Sequence, residues 1–141
     1  MAEERLVGIA AVEGAAGYAQ TIRAGHHRLS ADEPASTGGT DTGPGPYGLL
    51  LAALGACTSI TLRMYAQRKG WELGELEVEA EYQPAERGAP TRFSLVVRLP
   101  EGLTQEQVDR LMVIAAKCPV HRTLDGEVMF DERVEIAQPS S

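Results

Sequence analysis

The run Pro46–Lys69 constrains this chain more than any other feature of its sequence. Pro46 suits the first position of a helix, where its missing N–H would have no partner anyway. Gly70 supplies a C-terminal stop. Between them Leu50, Ala53, Leu54, Cys57, Thr61, Met64 and Tyr65 follow the i, i+3, i+4 spacing of one helix face. Leu51, Ile60 and Leu62 place apolar groups on other faces as well. At about 1.5 Å per residue such a helix is about 36 Å long. A helix apolar most of the way round is buried centrally. One small sheet cannot cover it, so the pattern predicts a dimer in which these helices pack across an interface.

The flanking segments supply strands. Arg5–Val12, Tyr18–Ala24 and His26–Ala31 read as three strands, with Gly25 marking a tight hairpin between the second and third. Asp32-Glu33-Pro34 ends the third, and the Pro/Gly-rich stretch Gly38–Pro46 is a loop too short to be a domain linker. After the long helix, Leu76–Gln83 alternates Leu76, Val78, Ala80 and Tyr82 against Glu77, Glu79, Glu81 and Gln83. That is a half-buried strand with an acidic outer face. Thr91–Leu99 follows as its neighbour, across a turn at Glu86–Pro90. Thr104-Gln105-Glu106-Gln107 has the form of a capping box and opens a helix with Val108, Leu111, Met112, Ala115 and Cys118 on one stripe. Pro119 disfavours helical dihedrals at Cys118, so that helix stops there. A short helix over Pro119–Leu124 would then have Cys118 as its N-cap. Glu127–Ile136 reads as a last strand, and Gln138–Ser141 as a frayed tail. The order β-β-β-α-β-β-α-β gives an α+β class with mostly antiparallel sheets. At roughly 100–200 residues per domain, the 141 residues form one domain, 1–141.

Charge narrows the partners. Thirteen Lys+Arg against twenty Asp+Glu give a formal net charge of −7, which argues against nucleic acid and against a polybasic membrane patch. The acidic start Met1-Ala2-Glu3-Glu4 does not resemble a signal peptide. The longest apolar stretch, Leu49–Cys57, falls short of about 20 residues. These features point to a soluble, cytoplasmic protein. In that compartment thiols stay reduced, so the two cysteines, Cys57 and Cys118, are catalytic, metal-binding or merely buried rather than a structural bridge.

The residues leave those alternatives open. Cys57 lies mid-helix among Ala53, Ala56, Thr58 and Ser59. A free cysteine there packs as a small hydrophobe, although its small neighbours leave space beside the sulfur. As an N-cap, Cys118 would face unpaired backbone N–H groups, which favour a thiolate. His121 and Arg122 lie within one turn of it. Cys118-Pro119-Val120-His121 also has metal-ligand spacing, but zinc needs two more ligands, and no second motif fixes His26, His27 or Cys57 as one. His26 and His27 are adjacent, so one would face inward and one solvent.

The segment Gly43–Ala66, with GPGPYGLLLAALGAC before Thr58 and Leu62-Arg63 beyond it, resembles the OsmC/Ohr family when taken with Lys117-Cys-Pro-Val-His-Arg-Thr-Leu124. This is the family of osmotically inducible protein C and the organic hydroperoxide resistance proteins. The resemblance runs from about His27 to Ile136. It implies an OsmC-like fold, with antiparallel sheets around two central helices in an intertwined homodimer. It implies a thiol-dependent peroxidase that reduces organic hydroperoxides in oxidative-stress defence, with Cys57 as nucleophile and Cys118 as resolving cysteine. An external dithiol would reduce the resulting disulfide, with no cofactor and no metal. Family peroxidases carry a Glu near the start of the long helix, where this chain has Tyr47 and Gly48. Those two residues and His121 are site-lining candidates. The family's thiolate-stabilising Arg has no counterpart in Ala11–Gly17, which leaves Arg23 and Arg28 as candidates. Without those charges the Cys57 pKa stays near its free value of about 8.5 or higher. The alternative implied is a non-enzymatic redox-sensing or small-ligand-binding relative.

Overall fold

The computed structural model describes residues 8–137. Three strands come first: β1 (Ala10–Glu13), β2 (Gln20–Ala24) and β3 (His27–Ala31). They form an antiparallel sheet in the order β1-β2-β3. The hairpin between β2 and β3 pairs Ala24 with His27, which leaves Gly25-His26 as a two-residue turn. Gly25 sits at φ 62°, a conformation that only glycine reaches cheaply. The helix α1 (Pro46–Lys69) follows, then β4 (Glu77–Gln83), β5 (Arg92–Arg98), α2 (Gln105–Ala115) and α3 (Pro119–Leu124). The pair β4-β5 is a second antiparallel sheet, with Val78 opposite Val97 and Tyr82 opposite Phe93. The molecule is therefore α+β with antiparallel sheets.

The loop that delivers α1 is fixed by one carboxylate. Asp32, just past β3, is 2% exposed. It accepts hydrogen bonds from the hydroxyls of Thr40 (2.6 Å) and Thr42 (2.8 Å) and from the backbone N–H groups of Glu33, Thr40 and Thr42. These donors, the Thr40 hydroxyl first, hold its carboxyl far below the usual carboxylate range. The backbone packs so closely here that a Cβ on Gly39 would lie 2.0 Å from the Glu33 carbonyl oxygen.

The core lies where α1 crosses β4-β5 and α2. Leu62, Tyr65 and Ala66 pack with Leu73, Leu111, Ile114 and Ala115, flanked by Trp71, Leu76 and Val97. Thr104 and Gln107 close a capping box at the start of α2, with the Gln107 N–H donating to the Thr104 hydroxyl at 3.1 Å. The Arg63 guanidinium donates to the Leu73 carbonyl and ties the segment after α1 back onto the helix.

Four expectations need correction. The first strand is shorter and shifted, Ala10–Glu13 rather than Arg5–Val12; Arg5–Val7, and the tail Gln138–Ser141, lie outside the described residues. Glu127–Ile136 keeps its alternation of Val128, Phe130, Val134 and Ile136, yet it forms no strand. A ladder needs a partner, and among the described residues the segment pairs with none of the open strand edges. His26 and His27 do not divide between core and solvent. The turn lets both rings stay exposed, with centroids 4.1 Å apart. Finally, α1 is not enclosed by its own chain. Leu54, Thr58, Leu62 and Tyr65 form one buried stripe, while Tyr47, Ile60 and Met64 on its other sides are more than half exposed. On α2 the buried stripe is Leu111, Ile114 and Ala115, and Met112 is half exposed.

Candidate active site

The two cysteines come from different elements and meet. Cys57 is at the middle of α1, half-buried, and Cys118 is the fully buried N-cap of α3. Both are free thiols. Helix α3 starts there because Pro119 occupies its first position and Cys118 is extended, at φ −62° and ψ 138°. Pro119 has no N–H to offer. The next two backbone donors, Val120 and His121, are the ones that reach the sulfurs. The His121 N–H donates to the Cys118 sulfur at 3.3 Å, and the Val120 N–H points at Cys57. The two thiols are close enough to shift each other's titration.

The pair is electrostatically unequal. Burial pushes the Cys57 thiol up; the Val120 N–H opposes this, and the neighbouring Cys118 adds to it. Burial also acts upward on Cys118. Four neighbouring groups outweigh it: the Cys57 thiol, the His121 N–H, the Thr58 hydroxyl and the Val120 N–H. Together they leave the Cys118 thiol below its ordinary value. The helix-cap donors thus favour charge on Cys118 more than on Cys57.

The remaining candidates are dispersed. His121 lies in the first turn of α3, where its ring reaches two cavities between α1 and β5. Tyr47 and Gly48 are at the start of α1. Tyr47 stacks on Tyr82, with centroids 4.4 Å apart and planes at 12°. At 1.5 Å per residue they sit about 15 Å along the helix from Cys57. Arg23 and Arg28 face each other across β2 and β3, and Arg23 lies 3.8 Å from Glu13. Neither contributes to the environment of the thiols within its own chain. A cavity of about 710 Å³ lies at the far end of α1 beside Tyr65, Trp71 and Arg110 and contains neither cysteine. Among the described residues no three His, Cys, Asp or Glu side chains converge as metal ligands.

Sequence reasoning treated Thr58 and Thr61 only as neighbours of Cys57. Thr61 was findable, since i, i+4 spacing puts it on the face of Cys57, where its hydroxyl meets the sulfur. The Thr58 hydroxyl lies near Cys118, a proximity across elements that carries no local sequence signal.

The family model for OsmC-like protein matches residues 39–133, a span that holds both cysteines. The chain belongs to the OsmC-like family. Solved structures agree on the fold. An OsmC-like protein from Mycoplasma pneumoniae is 20% identical, with a TM-score of 0.69 over 89% of this chain and 90% of that one. An organic hydroperoxide resistance protein OsmC from Legionella pneumophila is 23% identical, with a TM-score of 0.61 over 88% and 93%. The organic hydroperoxide resistance protein OhrB of Bacillus subtilis is 24% identical, with a TM-score of 0.61 over 86% and 92%. No curated protein matches the sequence. In this OsmC-like chain α1 is long and apolar enough by length and composition to cross a membrane. Its buried stripe nevertheless packs on the chain's own core.

Proposed function

We propose that this OsmC-like protein is a cytoplasmic, thiol-dependent reductase of organic hydroperoxides that cycles between a Cys57/Cys118 dithiol and a disulfide. The observation that carries the reading is the pair of neighbouring free thiols, one half-buried on α1 and one buried at a helix cap. As Cys57 attacks the peroxide, its proton passes to the Cys118 sulfur. The O–O bond breaks, the alcohol leaves after protonation, and Cys57 becomes a sulfenic acid. Cys118 then displaces hydroxide from Cys57, giving the disulfide and water, and an external dithiol restores both thiols. The relatives from Legionella and Bacillus, both hydroperoxide resistance proteins by name, support the substrate class.

A homodimer belongs to this reading. The open face of α1 at Ile60 and Met64, the exposed alternation at Val128–Ile136 and the uncovered sheet β1-β2-β3 are supplied with partners by a second copy. In that assembly Arg23 or Arg28 would be brought to the sulfurs to stabilise charge, and Tyr47 and Gly48 would line the approach. The test is consumption of an organic hydroperoxide in the presence of a dithiol. Cys57→Ser abolishes turnover if the reading holds; equal rates in wild type and Cys57→Ser overturn it.

The raised Cys57 thiol and the absence of a carboxylate at Tyr47-Gly48 favour a second reading, a slow redox sensor or small-ligand binder rather than an enzyme. It predicts stoichiometric oxidation of the pair without sustained turnover when dithiol is in excess.

A further inference from the structure

Two buried side-chain atoms lack a hydrogen-bond partner among the described residues: the Thr58 hydroxyl oxygen and His121 Nδ1. Leaving such groups unpaired is unfavourable, so their placement has a reason. Both residues line the same cavity, about 220 Å³, whose other walls include Leu95, Val97 and Met112. Thr58 is 1% exposed, and its hydroxyl lies near the Cys118 sulfur without being hydrogen-bonded to it. His121 continues onward, lining a second cavity of about 310 Å³ with Phe93, Leu124 and Asp125. The cavity is largely apolar, but it has room for water, and Thr58 and His121 supply the two polar partners that a bridging water needs.

We propose that Thr58, His121 and water held between them form a proton relay behind Cys118. The proposal rests on the dithiol–disulfide reading and assigns a route to its second step. The Cys118 sulfur, carrying the proton received from Cys57, must lose it to attack. That proton moves to the Thr58 oxygen as the Thr58 hydroxyl gives its own to the cavity water, and the water passes one to His121 Nδ1. The S–S bond forms as the S–O bond of Cys57 breaks. The departing hydroxide takes up one proton, and His121 returns its proton to solvent through the second cavity. Cys118 sulfur is oxidised, Cys57 sulfur is reduced from the sulfenic state, and one water is produced. Cys57 from α1, Cys118 before α3 and Asp125 at the end of α3 are the titratable groups facing this path. The walls from α2 and β5 add none.

The step can be read without peroxide. Cys57, the less buried thiol, attacks the disulfide of Ellman's reagent first, forming a mixed disulfide and releasing one thionitrobenzoate. Attack of Cys118 on the mixed disulfide releases the second, and the rates are followed by absorbance across pH. Thr58→Val lowers the ratio of second to first rate at least tenfold, as loss of a general acid–base group does, whereas Thr58→Ser restores it. His121→Gln lowers the same ratio and flattens its pH dependence. Second-phase rates equal to wild type in Thr58→Val and His121→Gln overturn the relay. If Thr58→Val does not fold, equality in His121→Gln with an unchanged pH profile overturns it. Failure of hydroperoxide consumption with a Thr58-dependent second phase overturns the peroxidase reading and leaves the relay standing.

Discussion

The segment from α1 to α3 encloses a core of large apolar side chains, with Leu54, Leu62 and Leu111 at 0–1% exposure, whereas in and beside the β1-β2-β3 sheet Ile9, Val12 and Leu29 are 46–71% exposed. Both regions have ordered backbone pairing, so the difference lies in what covers the side chains. A sheet without a covered face gains little from burial. The contrast teaches that the chain completes one half by itself and leaves apolar surface on the other, together with one side of α1 and the segment 127–136. The cysteine pair sits on the complete half, and the candidate arginines sit on the uncovered one.

The strongest way to break this contrast is to charge the open face of α1. If a second copy covers Ile60 and Met64, Ile60→Glu buries an unpaired carboxylate at a cost of about 3 kcal/mol, a hundredfold in dimer dissociation constant. Sedimentation velocity should show wild type as a dimer at micromolar concentration and the variant as monomer. A monomeric wild type removes the dimer reading and leaves that face exposed.

Next in size is the core. Leu62→Ala should cost about 2–5 kcal/mol, because Leu62 is fully enclosed in its own chain, and the loss should be independent of protein concentration. Leu29→Ala should cost less than about 0.5 kcal/mol in a monomer and more as concentration rises in a dimer. Urea unfolding at two protein concentrations separates the two positions. Equal, concentration-independent losses would erase the distinction between the halves.

Asp32 joins the halves, and its effect is legible in pH. Its carboxyl titrates far lower in the folded chain than in the unfolded one, where the value is about 3.9. The stability it contributes is therefore fully present above about pH 5 and is lost as pH falls through and below that unfolded value. Asp32→Asn should be less stable than wild type at neutral pH, and the gap should shrink between pH 4 and pH 2. A gap that stays constant over that range contradicts a charge-based role for Asp32.

Much of this was readable from local rules. Pro46 and Gly70 fixed the bounds of α1, Thr104 and Gln107 announced the capping box, and Pro119 marked Cys118 as the start of a new helix. Each signal is a backbone constraint confined to a few residues. The same confinement explains the failures. The period of Glu127–Ile136 is that of a strand, but a strand exists only beside another. All-round apolarity in α1 said that all sides want cover, not which element provides it. At the site, the Cys57–Cys118 meeting followed from resemblance alone. The roles of Thr58 and His121 depend on a cavity shared by three elements, which no spacing encodes.

The smallest effects test the contrast at its edges. Thr104→Ala removes a satisfied cap inside the complete half, where the hydroxyl accepts the Gln107 N–H and the Gln107 side chain returns a bond to the Thr104 N–H. It should cost about 1 kcal/mol, with no dependence on protein concentration. Arg23→Ala removes an exposed ion pair, 3.8 Å from Glu13, on the uncovered sheet. Surface pairs of this kind contribute less than about 1 kcal/mol and often nothing measurable, so stability of the isolated chain should barely change. Hydroperoxide turnover is the sharper readout at Arg23. If a second copy brings this guanidinium to the sulfurs, turnover falls while stability holds. If turnover also holds, Arg23 is only a strand residue, and Arg28 becomes the next cation to replace in the same assay.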